Sequence, residues 1–228
     1  NCPIDKVTKD QRQASKIVIL AAGFGGGKGA VQSMAVNYGV KFSDAEAQEL
    51  ITNYRNLHPR EVDLWHSTRQ AIKDAVEMPN VEFSVARNKI KYESDGKDLW
   101  CQLPSGRFLR YMDAKIELVK MPWGKTEKVV RYKNTKIAPA VRQEWPRATL
   151  SHIVAVENFV QAFANDLLRD ALAVCEDEQL EPFMMVHDEI SVPGDHRELM
   201  KEIMETPPVW CKDMPLKAEG KFSYCFGK

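Results

Sequence analysis

The sequence predicts an α+β protein in which helices come first, a strand-rich block follows, and a long helix and a hairpin come last. Three observations predict it: helical signals before residue 79, short β-like runs between residues 81 and 137, and a helical apolar period between residues 148 and 174. The 228 residues are 44% apolar and 28% charged, which excludes a disordered tail. The sequence has no run of 18 apolar residues, so we expect no membrane-spanning segment.

Residues 9–24 fit two interpretations. Their centre holds an apolar, β-branched run of the kind found in buried strands. At helical spacing, four side chains instead share one stripe, namely Arg12, Lys16, Leu20 and Phe24. The pattern alone leaves strand and helix open.

Two capping patterns predict where further helices begin. Ser43 with Glu46 has the spacing of a capping box and opens a helix to about Asn53. Asp195 with Glu198 is expected to cap a last helix that ends near residue 204.

Two prolines delimit another helix. Pro59 suits its first turn, and Pro79 stops it. Its apolar face consists of Val62, Trp65, Ile72 and Val76.

The block that follows alternates β-like runs with turns. The runs are residues 90–92, 99–103, 107–111 and 129–132. Two turn pairs, Asp95-Gly96 and Ser105-Gly106, separate the first three runs. We therefore expect this block to consist of short strands.

A long helix is predicted from about residue 148 to residue 174. Its apolar positions recur at steps of three or four: Val156, Val160, Phe163, Leu167, Ala171 and Val174. A polar patch on this helix, formed by Glu157, Asn158 and Gln161, fits either a solvent-facing surface or a binding surface.

Charge is unevenly distributed although the net charge is zero. Residues 87–147 hold 15 Lys and Arg against 7 Asp and Glu, whereas residues 148–207 hold 3 against 13. Basic segments attract phosphate backbones and acidic clusters attract divalent cations, although both segments also fit solvated faces. The five cysteines include no Cys-x-x-Cys pair and the chain opens without a secretory pattern, so we expect isolated reduced thiols and a cytoplasmic location.

The first constellation with chemical meaning is the stripe of Arg12, Lys16, Leu20 and Phe24, followed by Gly25. Two cations, an apolar side chain and a ring suit a nucleoside triphosphate laid along a helix. The cations would meet the phosphates, and the ring would meet the sugar and base. A surface helix with two solvated cations explains the same spacing.

The glycine-rich run 23–29 does not make a phosphate-binding loop. The Walker pattern needs Gly six residues before Lys28 and Ser or Thr after it, but Ala22 and Gly29 stand at those positions. The dinucleotide pattern fails as well, because Lys28 occupies the place of its third glycine. These glycines instead predict a flexible turn that terminates a helix.

The second constellation is His187-Asp188-Glu189, which lies between apolar runs at residues 183–186 and 190–192. The pattern predicts a strand, a turn and a strand. Two adjacent carboxylates at a hairpin tip are costly unless something neutralises them, and a hard divalent cation does so. A solvated acidic turn is the alternative.

Four motifs, in the order in which they occur along the chain, resemble those of the family-A (DNA polymerase I-like) DNA polymerases, especially their phage-type branch. They are Arg12, Lys16, Phe24 and Gly25; the Leu-Pro-Ser-Gly-Arg of residues 103–107; residues 156–162 around Gln161; and the Val-His-Asp-Glu-Ile of residues 186–190. Residues 218–221 are also similar to the C-terminal strand of that family. The resemblance covers nearly the whole chain.

The resemblance implies a dNTP-binding role for the first helix. Arg12 would meet the outer phosphates, and Lys16 would meet the phosphates near the scissile bond and act as general acid on pyrophosphate. Phe24 would stack at the templating position with Gly25 behind it. Leu20 stands where the family usually has an aromatic that reads the sugar.

The resemblance also implies a catalytic hairpin. Asp188 would hold the catalytic metals with Glu189 as a supporting carboxylate, and His187 would touch the primer end. Gln161 would touch the DNA minor groove beside the nascent pair. Arg107 belongs to the basic segment that would bind the nucleic-acid backbone.

The implied reaction is two-metal phosphoryl transfer, in which a primer 3′-hydroxyl attacks the α-phosphate of a dNTP with two Mg²⁺ ions bound. The implied fold is the helical fingers region of a right-hand polymerase with a β-rich insertion, followed by part of its antiparallel-sheet palm. Residues 1–145 would form the fingers, including the basic β-rich segment at about 81–145, and residues 146–228 the C-terminal half of the palm. The partners would be primer–template DNA and dNTP, in the host cytoplasm for a phage protein.

Some family features are absent from this sequence. The Asp-x-Ser-x-x-Glu-like motif that carries the other palm aspartate does not occur before Arg12, and no thumb or 3′–5′ exonuclease precedes it. The sequence therefore predicts an incomplete polymerase that needs the missing N-terminal portion. Phe24 replaces a frequent Tyr, and Glu157 a frequent Asn. Two alternatives are a non-catalytic nucleic-acid-binding subunit of a split polymerase and a degenerate structural remnant.

Overall fold

The structure is a computed structural model that describes residues 3, 6–23, 25–121, 124–134 and 145–225. The chain forms two compact units. The larger consists of Asn1–Gln102 and Phe108–Asn158, and the smaller of Leu103–Arg107 and Phe159–Lys228. The proposed functional boundary between residues 145 and 146 stays a prediction.

Four helices open the larger unit: α1 (Lys9–Ala22), α2 (Lys28–Asn37), α3 (Asp44–Leu57) and α4 (Pro59–Glu77). Residues 9–22 are therefore helical, and a capping box between Thr8 and Gln11 starts this helix. The strand interpretation was wrong because the buried face of α1, with Ile17 at its centre, recurs at helical spacing.

The predicted helix signals hold for α3 and α4. The Glu46 carboxylate accepts the Ser43 backbone N–H at 2.8 Å, and the Ser43 hydroxyl accepts the Glu46 N–H at 3.3 Å, which completes the capping box. The α3 helix continues beyond Asn53 to Leu57. Pro59 is in the first turn of α4, whose buried side chains are Trp65, Thr68, Ala71, Ile72 and Ala75.

Two antiparallel sheets complete the larger unit. The first is a meander in the order β1 (Phe83–Val85), β2 (Ile90–Ser94), β3 (Leu99–Gln102), β4 (Phe108–Tyr111). The second has the order β5 (Lys115–Lys120), β6 (Thr126–Lys133), β7 (Arg147–Thr149). The four predicted runs are confirmed as β2, β3, β4 and β6, whereas β1, β5 and β7 were not predicted. The architecture is therefore mixed helix and antiparallel sheet, as expected for an α+β protein.

The described cysteines are free thiols, as expected. Cys101 lies in the core of the first sheet with Tyr92 and Leu99, and none of the three is exposed. Burial raises the pKa of the Cys101 thiol to about 12, so the thiol stays protonated.

Asp95 closes the turn between β2 and β3. Its carboxylate accepts hydrogen bonds from the backbone N–H of Asp98 at 2.7 Å, the Trp100 indole N–H at 3.0 Å and the backbone N–H of Lys97 at 2.9 Å. These bonds favour the charged form and lower the pKa of Asp95 from 3.8 to about 2.

The lowered pKa of Asp95 predicts a pH-dependent contribution to stability. Because the pKa is lower in the folded state, the carboxylate stabilises the fold above about pH 4, and this contribution is lost as the pH falls toward 2. In urea unfolding, Asp95→Asn should be less stable than wild type at pH 7, and the difference should shrink between pH 4 and pH 2. A difference that stays constant down to pH 2 contradicts this assignment.

The smaller unit contains most of α5 (His152–Asp177), followed by β8 (Met184–Val186), β9 (Glu189–Ser191), α6 (Arg197–Glu205) and a 3₁₀ turn at Val209–Cys211. Its core is Cys175, Leu180 and Ile203, against which Ile190 and Met200 pack. The described helices include none that is long and apolar enough to cross a membrane.

Three local predictions for this region were wrong. The long helix begins at His152, because Ala148 and Thr149 pair with β6 instead. Asp195 does not cap α6: its carboxylate accepts the Arg197 guanidinium at 2.8 and 2.9 Å, and the N-cap His196 makes no capping bond. Residues 218–221 form no strand in the described structure.

Candidate functional site

The exposed face of α1 carries the predicted triphosphate-binding side chains. Arg12, Lys16 and Leu20 are all exposed, and Ile17 and Ala21 are buried on another face of the helix. The predicted four-residue spacing therefore yields one solvent-facing stripe. Phe24, the last member of this stripe, lies outside the described residues.

Among the described side chains, no carboxylate neutralises the two cations of this stripe. Within the described part of the chain, neither Arg12 nor Lys16 forms an ion pair, whereas Lys28 on α2 bonds the Asp44 carboxylate at 2.6 Å. The Lys16 ammonium lies over the ring of Tyr38, 5.9 Å from its centroid. Arg12 and Lys16 are therefore exposed charges that an anionic ligand can reach.

The glycine-rich run terminates α1, as predicted. The Gly23 N–H donates to the Ile19 carbonyl at 2.9 Å, and Gly25 has φ +90°, a conformation that favours glycine. A Cβ on Gly25 would lie 3.4 Å from both Trp65 and Ile153. Gly25 thus belongs to a tightly packed turn directly after the cationic stripe.

Gly26 is the tightest point of this turn, because a Cβ there would lie 2.1 Å from the Ala21 carbonyl oxygen. We expect Gly26→Ala to lower the free energy of unfolding by about 2 kcal/mol or more. The matched control is Gly29→Ala, where a Cβ meets nothing within 4 Å and alanine suits the helix better. Chemical denaturation measures both, and equal stability of the two variants would contradict the packing argument.

The predicted carboxylate hairpin is present in the smaller unit. His187 and Asp188 connect β8 to β9, and His187 has φ +56°. Glu189 is the first residue of β9, paired with Val186, so it lies beside the turn and not at its tip. All three polar side chains are exposed. The hairpin therefore presents two adjacent carboxylates to solvent.

Gln161 of α5 lies in the same groove as this hairpin. A groove of about 1530 Å³ within the smaller unit is lined by Gln161, by residues 187–189 and by residues 216–223 of the C-terminal segment. The structure thus brings together the predicted minor-groove, primer-end and metal-binding residues of this unit. Their roles stay predictions.

The hairpin alone does not make a complete metal site. Among the described residues, no group of three or more His, Cys, Asp or Glu side chains is arranged to hold a metal ion. Asp188 and Glu189 supply carboxylate oxygens, which are the ligands that Mg²⁺ prefers. Proteins usually bind Mg²⁺ through one or two carboxylates, and substrate phosphates complete the site. The residues present fit a partial site.

The polar patch on α5 divides into residues with different surroundings. The Asn158 amide donates to the Tyr111 hydroxyl at 3.2 Å within the larger unit, and burial raises the pKa of Tyr111. Gln161 is exposed, whereas Glu157 is half-buried. The patch is therefore not a single solvent-facing surface.

Arg107 makes intramolecular contacts that the sequence did not predict. Its Nε donates to Asp166 Oδ1 at 2.7 Å, and its Nη2 donates to the Ala162 carbonyl at 3.0 Å. Asp166 is only 5% exposed, and its other oxygen accepts the Ser105 hydroxyl at 2.5 Å. The contact of Arg107 with the nucleic-acid backbone stays a prediction.

Much of the basic segment is paired in the same way. Arg147 donates to Glu117 at 2.6 Å and to Asp113 at 2.7 Å, and the ammonium of Lys115 together with Arg147 lowers the pKa of Asp113. The cations in ion pairs are Lys91, Arg107, Arg110, Lys115, Arg131 and Arg147. The exposed cations without an ion pair among the described residues are Arg87, Lys89, Lys97, Lys120, Lys125 and Lys128. The surface available to phosphate is therefore smaller than the charge count indicates.

The α1 stripe belongs to the larger unit and the hairpin to the smaller. That both serve one triphosphate stays a prediction.

Comparison with known proteins gives one informative match. No protein-family model matches the chain. The chain is similar to the DNA polymerase of Bacillus phage SP02, with 33% identity over 226 aligned residues that cover 96% of this chain and 33% of that polymerase. The chain thus spans about a third of the length of this relative.

Proposed function

We propose that the chain is the dNTP-binding and partly catalytic portion of a DNA polymerase of the family-A, phage-type kind. The observation that carries the proposal is the exposed pair Arg12 and Lys16 on α1, neither of which forms an ion pair among the described residues, in a chain similar to a phage DNA polymerase over 96% of its length. Residues 1–145 act as the fingers and residues 146–228 as half of the palm.

The α1 stripe binds the incoming dNTP. Arg12 contacts the outer phosphates, and Lys16 contacts the phosphates near the bond that breaks. Lys16 gives a proton to the leaving pyrophosphate, which is general acid catalysis. Leu20, Phe24 and Gly25 shape the space for the sugar and the templating base.

The hairpin supplies carboxylates to the reacting end of the primer. Two Mg²⁺ ions, when bound, stabilise the entering and leaving oxygens of the phosphoryl transfer. Asp188 and Glu189 are the residues of this chain that would hold them. His187 contacts the primer end, and Gln161 contacts the minor groove beside the nascent pair.

The remaining carboxylate comes from further polypeptide. Asp188 and Glu189 are adjacent in sequence, and the described residues offer no third metal ligand beside them. We call the chain together with the polypeptide that supplies the other palm carboxylate the complemented polymerase. The similarity to a phage polymerase supports activity in the host cytoplasm.

Primer extension tests the proposal. The complemented polymerase should extend a primer with dNTP and Mg²⁺, whereas the purified chain should bind primer–template DNA without extending it. Binding should weaken with salt, because exposed lysines release counterions from the DNA. Absence of both DNA binding and complemented activity overturns the proposal, and efficient extension by the chain alone overturns its incompleteness.

A second candidate is a nucleic-acid-binding subunit without catalysis. The incomplete set of metal ligands among the described residues favours it. In that case a complemented polymerase would keep its activity when Asp188 is replaced, which separates the two candidates.

A further inference from the structure

We propose that Arg107 serves DNA binding as a positioning residue: through Asp166 it holds the turn of α5 that carries Gln161. This inference rests on the proposed function and assigns Arg107 a different role from the phosphate contact that its basic surroundings indicate.

The Arg107 guanidinium bridges one helical turn of α5. It donates from Nε to the carboxylate of Asp166 at 2.7 Å and from Nη2 to the carbonyl of Ala162 at 3.0 Å. Ala162 follows Gln161 directly, and Asp166 comes four residues after Ala162. The two bonds therefore fix Arg107 against the backbone next to Gln161 and against the following turn.

The turn at Leu103–Arg107, which lies in the same compact unit as this part of α5, presents the donors. It is closed by hydrogen bonds from the Leu103 N–H to the Arg107 carbonyl at 2.8 Å and from the Gly106 N–H to the Leu103 carbonyl at 2.9 Å. The Ser105 hydroxyl donates a hydrogen bond to the second carboxylate oxygen of Asp166 at 2.5 Å. Both oxygens of this carboxylate are thus satisfied by one turn.

Because the Asp166 carboxylate is buried, Arg107 cannot easily leave its ion pair with Asp166 to contact a phosphate. The Asp166 side chain is 6% exposed, whereas that of Arg107 is 36% exposed. If the guanidinium moved to a phosphate, a buried carboxylate would lose its charged partner, which is strongly unfavourable. Lysine cannot replace the bridge, because a single ammonium group lacks the planar fork of donors that reaches a carboxylate and a carbonyl together.

The test measures affinity for primer–template DNA by fluorescence anisotropy, at several salt concentrations, for the purified chain. Arg107→Ala, Arg107→Lys and Asp166→Asn should each weaken binding about tenfold without changing the salt slope. Ser105→Ala, which keeps the ion pair, should weaken it less. The control is Lys128→Ala, which removes an exposed cation that has no ion pair among the described residues and should lower the salt slope by about one.

A double substitution distinguishes positioning from a general loss of structure. Gln161→Ala should also weaken binding, and adding Arg107→Ala to it should cost little more, because the lost positioning acts through Gln161. If the losses of DNA affinity caused by the two substitutions simply add in the double variant, the proposal is contradicted.

Direct phosphate binding by Arg107 gives the opposite pattern. Arg107→Ala would then lower the salt slope while Asp166→Asn left binding intact, and the inference alone would be overturned. If the wild-type chain binds no primer–template DNA and the complemented polymerase is also inactive, the proposed function fails as well.

Discussion

Asp188→Asn in the complemented polymerase is expected to slow dNTP incorporation about 10³-fold while affinity for primer–template DNA changes less than twofold. The substitution keeps the size of the side chain but removes the negative charge that would hold Mg²⁺. Metal stabilisation of a phosphoryl transition state is worth several kcal/mol, and about 1.4 kcal/mol corresponds to a tenfold change in rate. Single-turnover incorporation and anisotropy measure the two quantities.

The fold should tolerate this substitution. Asp188 is exposed, and the ion pairs of the described residues do not include it. Asp195→Asn is the matched control, because it removes one charge from an exposed carboxylate of the same unit, whose ion-pair partner among the described residues is Arg197. Near-normal incorporation by Asp188→Asn would rule out its metal-binding role.

Lys16→Ala is expected to reduce the rate of the chemical step about 10²- to 10³-fold with a smaller effect on dNTP affinity. The reason is that the pyrophosphate leaving group would lose its proton donor, while Arg12 still contacts the outer phosphates. Single-turnover kinetics over a range of dNTP concentrations is the diagnostic measurement, because loss of a proton donor lowers the maximal rate more than it raises the dNTP dissociation constant.

Lys41→Ala is the control for the change in charge, since Lys41 is an exposed cation of the same unit. A Lys16→Ala variant that only raises the dNTP dissociation constant would make Lys16 a binding residue and not an acid.

The local parts of the fold could be predicted from sequence. The Ser43–Glu46 capping box, the Pro59 start and the Gly96 and Gly106 turns depend on a few neighbouring residues, and the structure confirms them. Signals that compete locally were misleading. Asp195 has the spacing of a cap but bonds Arg197, whose guanidinium is a stronger partner than a backbone N–H.

The non-local parts could not be predicted. Arg107 and Asp166 are 59 residues apart, and nothing in either motif marks them as partners. Arg147 likewise reaches Asp113, 34 residues away, from β7, a strand that the sequence did not predict. A charge count treats each cation as available, whereas folding neutralises those that find a carboxylate.

In the candidate site, too, the local patterns could be predicted from the sequence and the strand pairing could not. The helical stripe and the carboxylate hairpin are local patterns, and the structure confirms the exposed spacing of Arg12, Lys16 and Leu20 and the strand–turn–strand pattern around Asp188. The position of Glu189 in the strand follows from its pairing with Val186, which the apolar pattern does not specify.

The most direct test of the account is a crystal structure of the complemented polymerase with primer–template DNA, a non-hydrolysable dNTP analogue and Mg²⁺. We expect Arg12 and Lys16 to contact the triphosphate, and Asp188 to hold a Mg²⁺ ion beside it. A triphosphate held by α1 with Asp188 remote from it, and bound to no common metal, would contradict the account.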